Sequence, residues 1–147
     1  MAYEKITWVS GTTPLSAENM NHMEEGIAAS NEGVDKLNTD KSVAVTADTT
    51  KASFQILQAK KYGKIVVLSA RFSLISALSS GSVVIAKVPD QDNIAAYEVA
   101  NYGNRQDSGN IPFSVITGSS GNITIKNLGV TLTTGINYCF ELVWVTN

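Results

Sequence analysis

The sequence has few of the residues from which catalytic and metal sites are built. Cys139 is the only cysteine among 147 residues, which excludes an intrachain disulfide framework and a multi-cysteine zinc site. His22 is the only histidine, so a Ser-His-Asp or Cys-His arrangement would have to include it. On the expected helix, His22 falls on the outer face, away from other catalytic side chains. We therefore expect no enzymatic activity, no metal and no cofactor.

Long apolar runs and dense basic clusters are also missing. No segment approaches the ~18 consecutive apolar residues of a membrane span. The first residues do not combine a basic region with an apolar one, as a secretory signal would. The net charge is −2 without a basic stripe, which argues against nucleic acid or an anionic membrane as a partner.

The charges that are present divide the chain near residue 41. Residues 1–41 hold three lysines and seven acids, a net charge of −4, whereas residues 42–147 hold eight basic and six acidic residues, a net charge of +2. Eight of the eleven glycines follow residue 41. We predict an N-terminal arm and oligomerisation helix over 1–41 and a β-sandwich head domain over 42–147.

Apolar residues in the first segment recur with the spacing of a coiled-coil seam. The pattern predicts a helix from about 17 to 37, capped by Ser16; a start at Thr13 is the alternative. Gly26 and Gly33 fall beside the seam, where a neighbouring backbone can approach. Fewer than three heptads are too short to be stable alone, so the helix needs partners. The helix seam consists of Met20, Met23, Ile27, Val34 and Leu37.

From Ser42 onward the apolar pattern has a period of two, which is typical of half-buried strands. Clusters of Gly, Asn, Ser and Asp separate the runs. Seven or eight short strands with one apolar face each predict an antiparallel β-sandwich or jelly roll, so the chain is mainly β with an N-terminal α-helix. The predicted apolar faces are Phe54 and Ile56; Val66, Leu68, Ala70, Phe72 and Leu74; Val84, Ala86 and Val88; Tyr97 and Val99; Ile111, Phe113 and Val115; Ile123 and Ile125; and Tyr138, Phe140, Leu142 and Trp144.

The longest polar segment, Asn101 to Asn110, predicts a loop with the chemistry of a saccharide site. It combines the aromatic ring of Tyr102, the amide of Asn104, the guanidinium of Arg105 and the carboxylate of Asp107. A sugar requires a ring for its apolar face and planar polar groups for its hydroxyls. A plain connecting loop is the alternative interpretation.

Other polar residues carry weaker signals. Asp90 and Asp92 begin like a calcium loop, but Ile94 occupies the fifth position and no acid closes the loop, so the pattern fails. A solvated turn is expected there, and calcium shared with another loop is the alternative. Cys139 has no nearby cation in sequence to lower its pKa. Trp144 continues an apolar face and is expected to be core or inter-subunit packing.

The segment from Ile6 to Glu32 resembles the opening of tail, baseplate and receptor-binding proteins of phages and prophages of Gram-positive bacteria. Those chains often begin with an Ile/Trp pair, a Gly-Thr turn and a helix rich in small residues. The ending Gly135 to Asn147 is similar to the last strand of phage fibre tips. The matching residues are Ile6, Trp8, Gly11, Thr12, Leu15, Ser16, Ala17, Asn19, Met20, Asn21, Met23, Glu24 and Ile27.

The resemblance implies a non-enzymatic homotrimer in the tail of a virion, made in the bacterial cytoplasm without a signal peptide. Its partners would be other tail or baseplate proteins and a host cell-wall polysaccharide bound by the head, and Trp8 would pack on a neighbouring subunit or on the tail. Residues 38–50 lack a long neck, which favours a stubby trimer or an adaptor. A purely structural adaptor or decoration protein that binds no sugar is the main alternative, and a glycan-degrading enzyme is a third.

Overall fold

The computed structural model describes Thr7, Thr12, residues 16–106 and residues 111–146. The chain divides between Thr39 and Asp40 into two compact units. The first unit contains helix α1 (Ala17–Asn38), and the second contains the strands. No helix in the described ranges is long and apolar enough to cross a membrane. The roles assigned to the segments 1–41 and 42–147 stay predictions.

Helix α1 begins at the predicted cap. Ser16 has an extended backbone, and its Oγ accepts a hydrogen bond from the Asn19 backbone N–H at 3.2 Å. At the other end, the Thr39 hydroxyl donates to the Asp35 carbonyl oxygen at 2.8 Å. The first contact satisfies a backbone N–H that a helix end leaves without a partner, and the Asp35 carbonyl oxygen also accepts the Thr39 backbone N–H at 2.9 Å. The alternative start at Thr13 lies outside the described residues.

The described part of the second unit contains nine strands in one curled, antiparallel sheet. Strands β1 and β2 are two residues apart in the chain, yet they pair with β3 and β5 at opposite edges of the strand order. The sheet must therefore curl until its two edges meet. The predicted class, mainly antiparallel β with an N-terminal helix, is confirmed. The strands are β1 (Lys41–Val43), β2 (Thr46–Ala47), β3 (Ala52–Tyr62), β4 (Ile65–Leu74), β5 (Ser82–Lys87), β6 (Val99–Arg105), β7 (Pro112–Thr117), β8 (Asn122–Asn127) and β9 (Tyr138–Val145), in the order β1-β3-β4-β9-β6-β7-β8-β5-β2.

The inner face of the curled sheet forms the hydrophobic core. The predicted apolar faces of β4 and β9 are buried along their whole length. Phe72 lies at the centre, with its ring centroid 5.9 Å from Phe113, 5.8 Å from Tyr138 and 6.0 Å from Phe140. Edge-to-face aromatic pairs contribute about 0.5–1.5 kcal/mol beyond their buried area, so this cluster fixes how the sheet closes.

The predicted period of two is wrong at three apolar residues. The pairing register shifts between Phe54 and Ile56 and again between Val84 and Ala86. A β-bulge adds one residue to a strand and changes the face on which the alternation continues, so Ile56, after the bulge in β3, and Val84, before the bulge in β5, lie on the exposed face. Tyr97 lies in the turn before β6, where it is 81% exposed.

One buried amide joins two loops at the end of the sheet. The side-chain nitrogen of Asn127 donates to the carbonyl oxygens of Leu78, Ser79 and Val130 at 3.2, 3.3 and 2.6 Å. Its oxygen accepts from the Gly129 backbone N–H at 2.8 Å. A single side chain thereby satisfies four backbone groups.

Candidate functional site

The predicted loop over 101–110 is wrong for its first half. Asn101 to Arg105 belong to β6, which pairs with β7 in a register that places Gly103 opposite Phe113. A Cβ at Gly103 would lie 2.2 Å from the Phe113 Cζ and 2.8 Å from the Cys139 carbonyl oxygen. This glycine therefore allows the Phe113 ring to pack closely against β6, and it does not form a turn.

The structure brings two of the four predicted saccharide-binding residues to one face. Tyr102 and Asn104 are exposed on the outer face of β6, and Tyr102 is 69% exposed. Arg105 alternates to the opposite face, where it is half-buried. Asp107, like the predicted attachment residue Trp8, lies outside the described residues.

Strand order places distant residues beside Asn104 on the outer face. Asn104 lies opposite Cys139, Cys139 lies opposite Arg71, and Arg71 lies opposite Ile56. Directly opposite side chains have their Cβ atoms about 4.5–5.5 Å apart. A second row one step along the strands joins Ser69 to Glu141 and to Gln58.

Two adjoining depressions lie in this outer face. The first has a volume of about 330 Å³ and the second about 180 Å³. Because Ser69 lines both, the two depressions adjoin, and together they are here called the outer groove. The first depression is lined by Ile56, Ser69, Arg71, Cys139 and Glu141, among others, and the second by Gln58, Lys60, Tyr62, Val67 and Ser69.

Several polar groups of this region are available for a ligand. No hydrogen bond or ion pair within the described ranges involves the Arg71 guanidinium or the Asn104 side-chain amide. The Glu141 carboxylate accepts one hydrogen bond, from the Ser69 hydroxyl to Oε1 at 3.4 Å. Such unsatisfied donors and acceptors can pair with hydroxyl groups of a ligand.

Lys60, in contrast, already has a partner. Its ammonium group forms an ion pair and hydrogen bond with Asp40. This contact lowers the pKa of Asp40 and raises the pKa of Lys60. Both groups are therefore charged at neutral pH, and their charges cancel beside the second depression.

The turn containing Asp90 and Asp92 is organised by its own hydrogen bonds. The Asp90 carboxylate accepts from the Asp92 backbone N–H at 3.0 Å and from the Asn93 side-chain amide at 2.6 Å. The Lys61 ammonium donates to the Asp92 carbonyl oxygen at 2.8 Å and to the Asn93 side-chain oxygen at 3.0 Å. A protein cation thus occupies this turn, and the described residues contain no cluster of three or more metal-ligating side chains.

Cys139 and His22 are the two residues that the sequence offers for nucleophilic chemistry. Cys139 is half-buried, and its thiol faces the Asn104 carbonyl oxygen at 3.7 Å. His22 is half-buried on α1. They lie in different compact units of the chain.

The helix seam is uncovered along most of its length. Met20, Ile27, Val34 and Leu37 are each between 48% and 62% exposed, and Met23 is half-buried. A Cβ added at Gly33 would meet no described atom within 4 Å, whereas Gly26 is buried. Most helical stability in proteins comes from packing such an apolar stripe against another surface.

Comparison with known proteins identifies the fold. No protein-family model and no curated protein sequence matches the chain. The head domain of lactococcal phage bIL170 is similar with a TM-score of 0.58 and 15% identity, over 74% of this chain and 100% of that one. The receptor-binding protein of Listeria phage PSA is similar with a TM-score of 0.60 and 16% identity, over 95% of this chain and 89% of that one. The resemblance inferred from the sequence is confirmed in the fold: this chain has the fold of receptor-binding proteins of phages that infect Gram-positive bacteria.

Proposed function

We propose that this chain is a receptor-binding protein in the tail of a phage or prophage. The observation that carries the proposal is the likeness to the Listeria phage receptor-binding protein, which extends over 95% of this chain. The bIL170 head domain, matched over its full length, supports the same role for the strands. In this role the molecule acts by binding and not by catalysis.

The proposed receptor is a polysaccharide of the host cell wall. Tyr102 offers an exposed aromatic ring, and Asn104 offers, on the same face, an amide that has no partner among the described residues. A ring that covers the apolar face of a sugar, beside planar polar groups for its hydroxyls, is the usual composition of a saccharide site. Arg105, on the opposite face of β6, and Asp107, outside the described residues, stay predictions for this site.

Wall binding tests the role and the site together. Cell walls of candidate Gram-positive hosts are incubated with the protein and with Tyr102→Ala, and the bound fraction is measured. Tyr97→Ala is the matched control, because Tyr97 is also highly exposed but precedes β6. We expect Tyr102→Ala to lose binding and Tyr97→Ala to retain it.

The alternatives predict other outcomes of the same experiment. Absence of binding to every wall, together with binding to other tail proteins, would favour the structural adaptor. Release of soluble sugar from wall polysaccharide would identify a glycan-degrading enzyme. Equal wall binding by wild type, Tyr102→Ala and Arg105→Ala would be consistent with the receptor-binding role but would refute the assignment of these residues to the site.

We also propose that the chain is a homotrimer held by the helix seam. Three parallel copies of α1 would cover side chains that are about half exposed in one chain. The mass in solution from light scattering is the measurement. Ile27→Lys should shift the mass toward a monomer, whereas Ala28→Lys, one residue off the seam, should not. A monomeric wild type at micromolar concentration would refute the trimer.

A further inference from the structure

We infer that the outer groove binds a neutral saccharide chain, with two neighbouring hydroxyl groups of one sugar held between Arg71 and Glu141. The inference rests on the proposed receptor-binding function. It adds that the ligand is uncharged. It also adds binding residues on β3, β4 and β9, outside the polar segment Asn101 to Asn110.

Arg71 and Glu141 are placed as a pair that a ligand can bridge. Arg71 lies opposite Cys139 and Ser69 lies opposite Glu141, so Arg71 and Glu141 are diagonal neighbours across β4 and β9. Both line the first depression. They form no ion pair with each other, and nothing in the described ranges hydrogen-bonds to the guanidinium.

The chemistry of these two groups matches a pair of hydroxyls. A guanidinium only donates hydrogen bonds, and an ionised carboxylate only accepts them. A hydroxyl does both, so one oxygen of a vicinal diol can accept from Arg71 while the next hydroxyl donates to Glu141. The Ser69 hydroxyl donates to Oε1 of Glu141 at 3.4 Å, and Oε2 has no partner in the described residues.

The charge of the groove favours a neutral ligand. Arg71 and Glu141 carry opposite charges, and the Lys60 ammonium is balanced by Asp40. No excess of positive charge therefore lines the two depressions. A polyanionic wall polymer would gain nothing from long-range attraction and would be repelled by Glu141.

The length and lining of the groove favour a chain over a single sugar. Ile56 and Tyr62 mark its two ends on β3, six residues apart, which corresponds to about 20 Å at the rise of an antiparallel strand. Each is 39% exposed. These apolar groups can contact the C–H faces of successive sugar rings, while Gln58 and Ser69 lie between them.

The test measures binding to a panel of defined glycans. The probes are neutral oligosaccharides of hexoses, deoxyhexoses and N-acetylhexosamines, with polyglycerol phosphate as the anionic probe. We expect binding to a neutral oligosaccharide. Arg71→Lys keeps the positive charge but loses the planar guanidinium with its parallel N–H donors. Arg71→Lys and Glu141→Gln should each weaken that binding by about tenfold or more, which is the effect of losing a charge-assisted hydrogen bond. Tyr62→Ala should also weaken it.

Controls separate the failure of this inference from the failure of the proposed function. Glu98→Gln, at an exposed residue before β6, should bind as wild type, and circular dichroism checks that each variant is folded. If the protein binds cell walls but Arg71→Lys and Glu141→Gln bind equally well, the groove inference is overturned and the function stands. Tighter binding of polyglycerol phosphate than of every neutral oligosaccharide by the wild-type protein would overturn the neutral class. Absence of binding to walls and to all glycans would overturn both.

Discussion

Substitution of Gly103 by alanine tests whether the close contact between β6 and Phe113 is required. The new Cβ would lie 2.2 Å from the Phe113 Cζ, 2.6 Å from its Cε2 and 2.8 Å from the Cys139 carbonyl oxygen. Ordinary van der Waals contact begins at about 3.5 Å. The Phe113 ring would therefore have to move by more than 1 Å, which is the difference between the 2.2 Å separation from Cζ and this contact distance.

The ring has little room to move. Phe113 is fully buried, with its centroid 5.9 Å from Phe72, 5.7 Å from Tyr138 and 6.4 Å from Phe140. Overpacking of a core typically costs about 1–3 kcal/mol. Because three neighbouring rings enclose Phe113 and one clashing atom belongs to the backbone, we expect Gly103→Ala to lower the free energy of unfolding by about 3 kcal/mol.

Urea unfolding at equal protein concentration measures this loss, since self-association would otherwise shift the apparent stability. Gly118→Ala is the matched control: its added Cβ would approach Glu98 no closer than 3.6 Å, so the loss should stay within about 0.5 kcal/mol. Combining Gly103→Ala with Phe113→Leu should recover part of the loss, because the smaller side chain relieves the clash. Equal stability of Gly103→Ala and Gly118→Ala would refute the packing argument.

Three further changes test other contacts of the fold. Asn127→Ala removes the contacts of a buried amide to three carbonyl oxygens and one backbone N–H, so urea unfolding should reveal a loss of about 2–4 kcal/mol; a loss below about 0.5 kcal/mol would contradict the bridging role. Trp144→Phe keeps a buried ring but loses the bond from Nε1 to the Asn93 carbonyl oxygen at 2.8 Å, which should cost about 1–2 kcal/mol in the same assay; unchanged stability would show that water replaces the donor. Ser16→Ala removes the cap of α1 and should cost about 1 kcal/mol; helical circular dichroism during thermal unfolding is the measurement, and an unchanged transition would argue against the cap.

The parts of the fold that depend on local patterns were predictable from the sequence. The period of two along β4 and β9 marked the buried faces, and the cap at Ser16 marked the start of α1. The pattern failed where a bulge inserts one residue, before Ile56 in β3 and after Val84 in β5. Bulges depend on how two strands pair, and the neighbouring strand cannot be identified from one strand's own residues.

The residues of the candidate site were also only partly predictable from the sequence. Tyr102 and Asn104 are recognisable from their chemistry, but the predicted loop misses that they belong to a strand, because the close packing at Gly103 depends on Phe113 in the next strand. Arg71 and Glu141 could not be paired from the sequence. They lie far apart in the amino-acid sequence, and they are neighbours only because β4 and β9 pair in the sheet.

The closure of the sheet by β1 and β2 has a mechanical consequence. Asp40 to Ala47 is the segment through which the helix joins the head, and its two short strands cover both edges of the strand order. Tension applied to the chain from the helix side therefore reaches β1 before any other strand. Only three residue pairs join β1 to β3, and two join β2 to β5. Such tension would therefore separate β1 and β2 from the sheet first and expose the edges of β3 and β5. The stretch that tethers the head is also the stretch that keeps its edges from pairing with another chain.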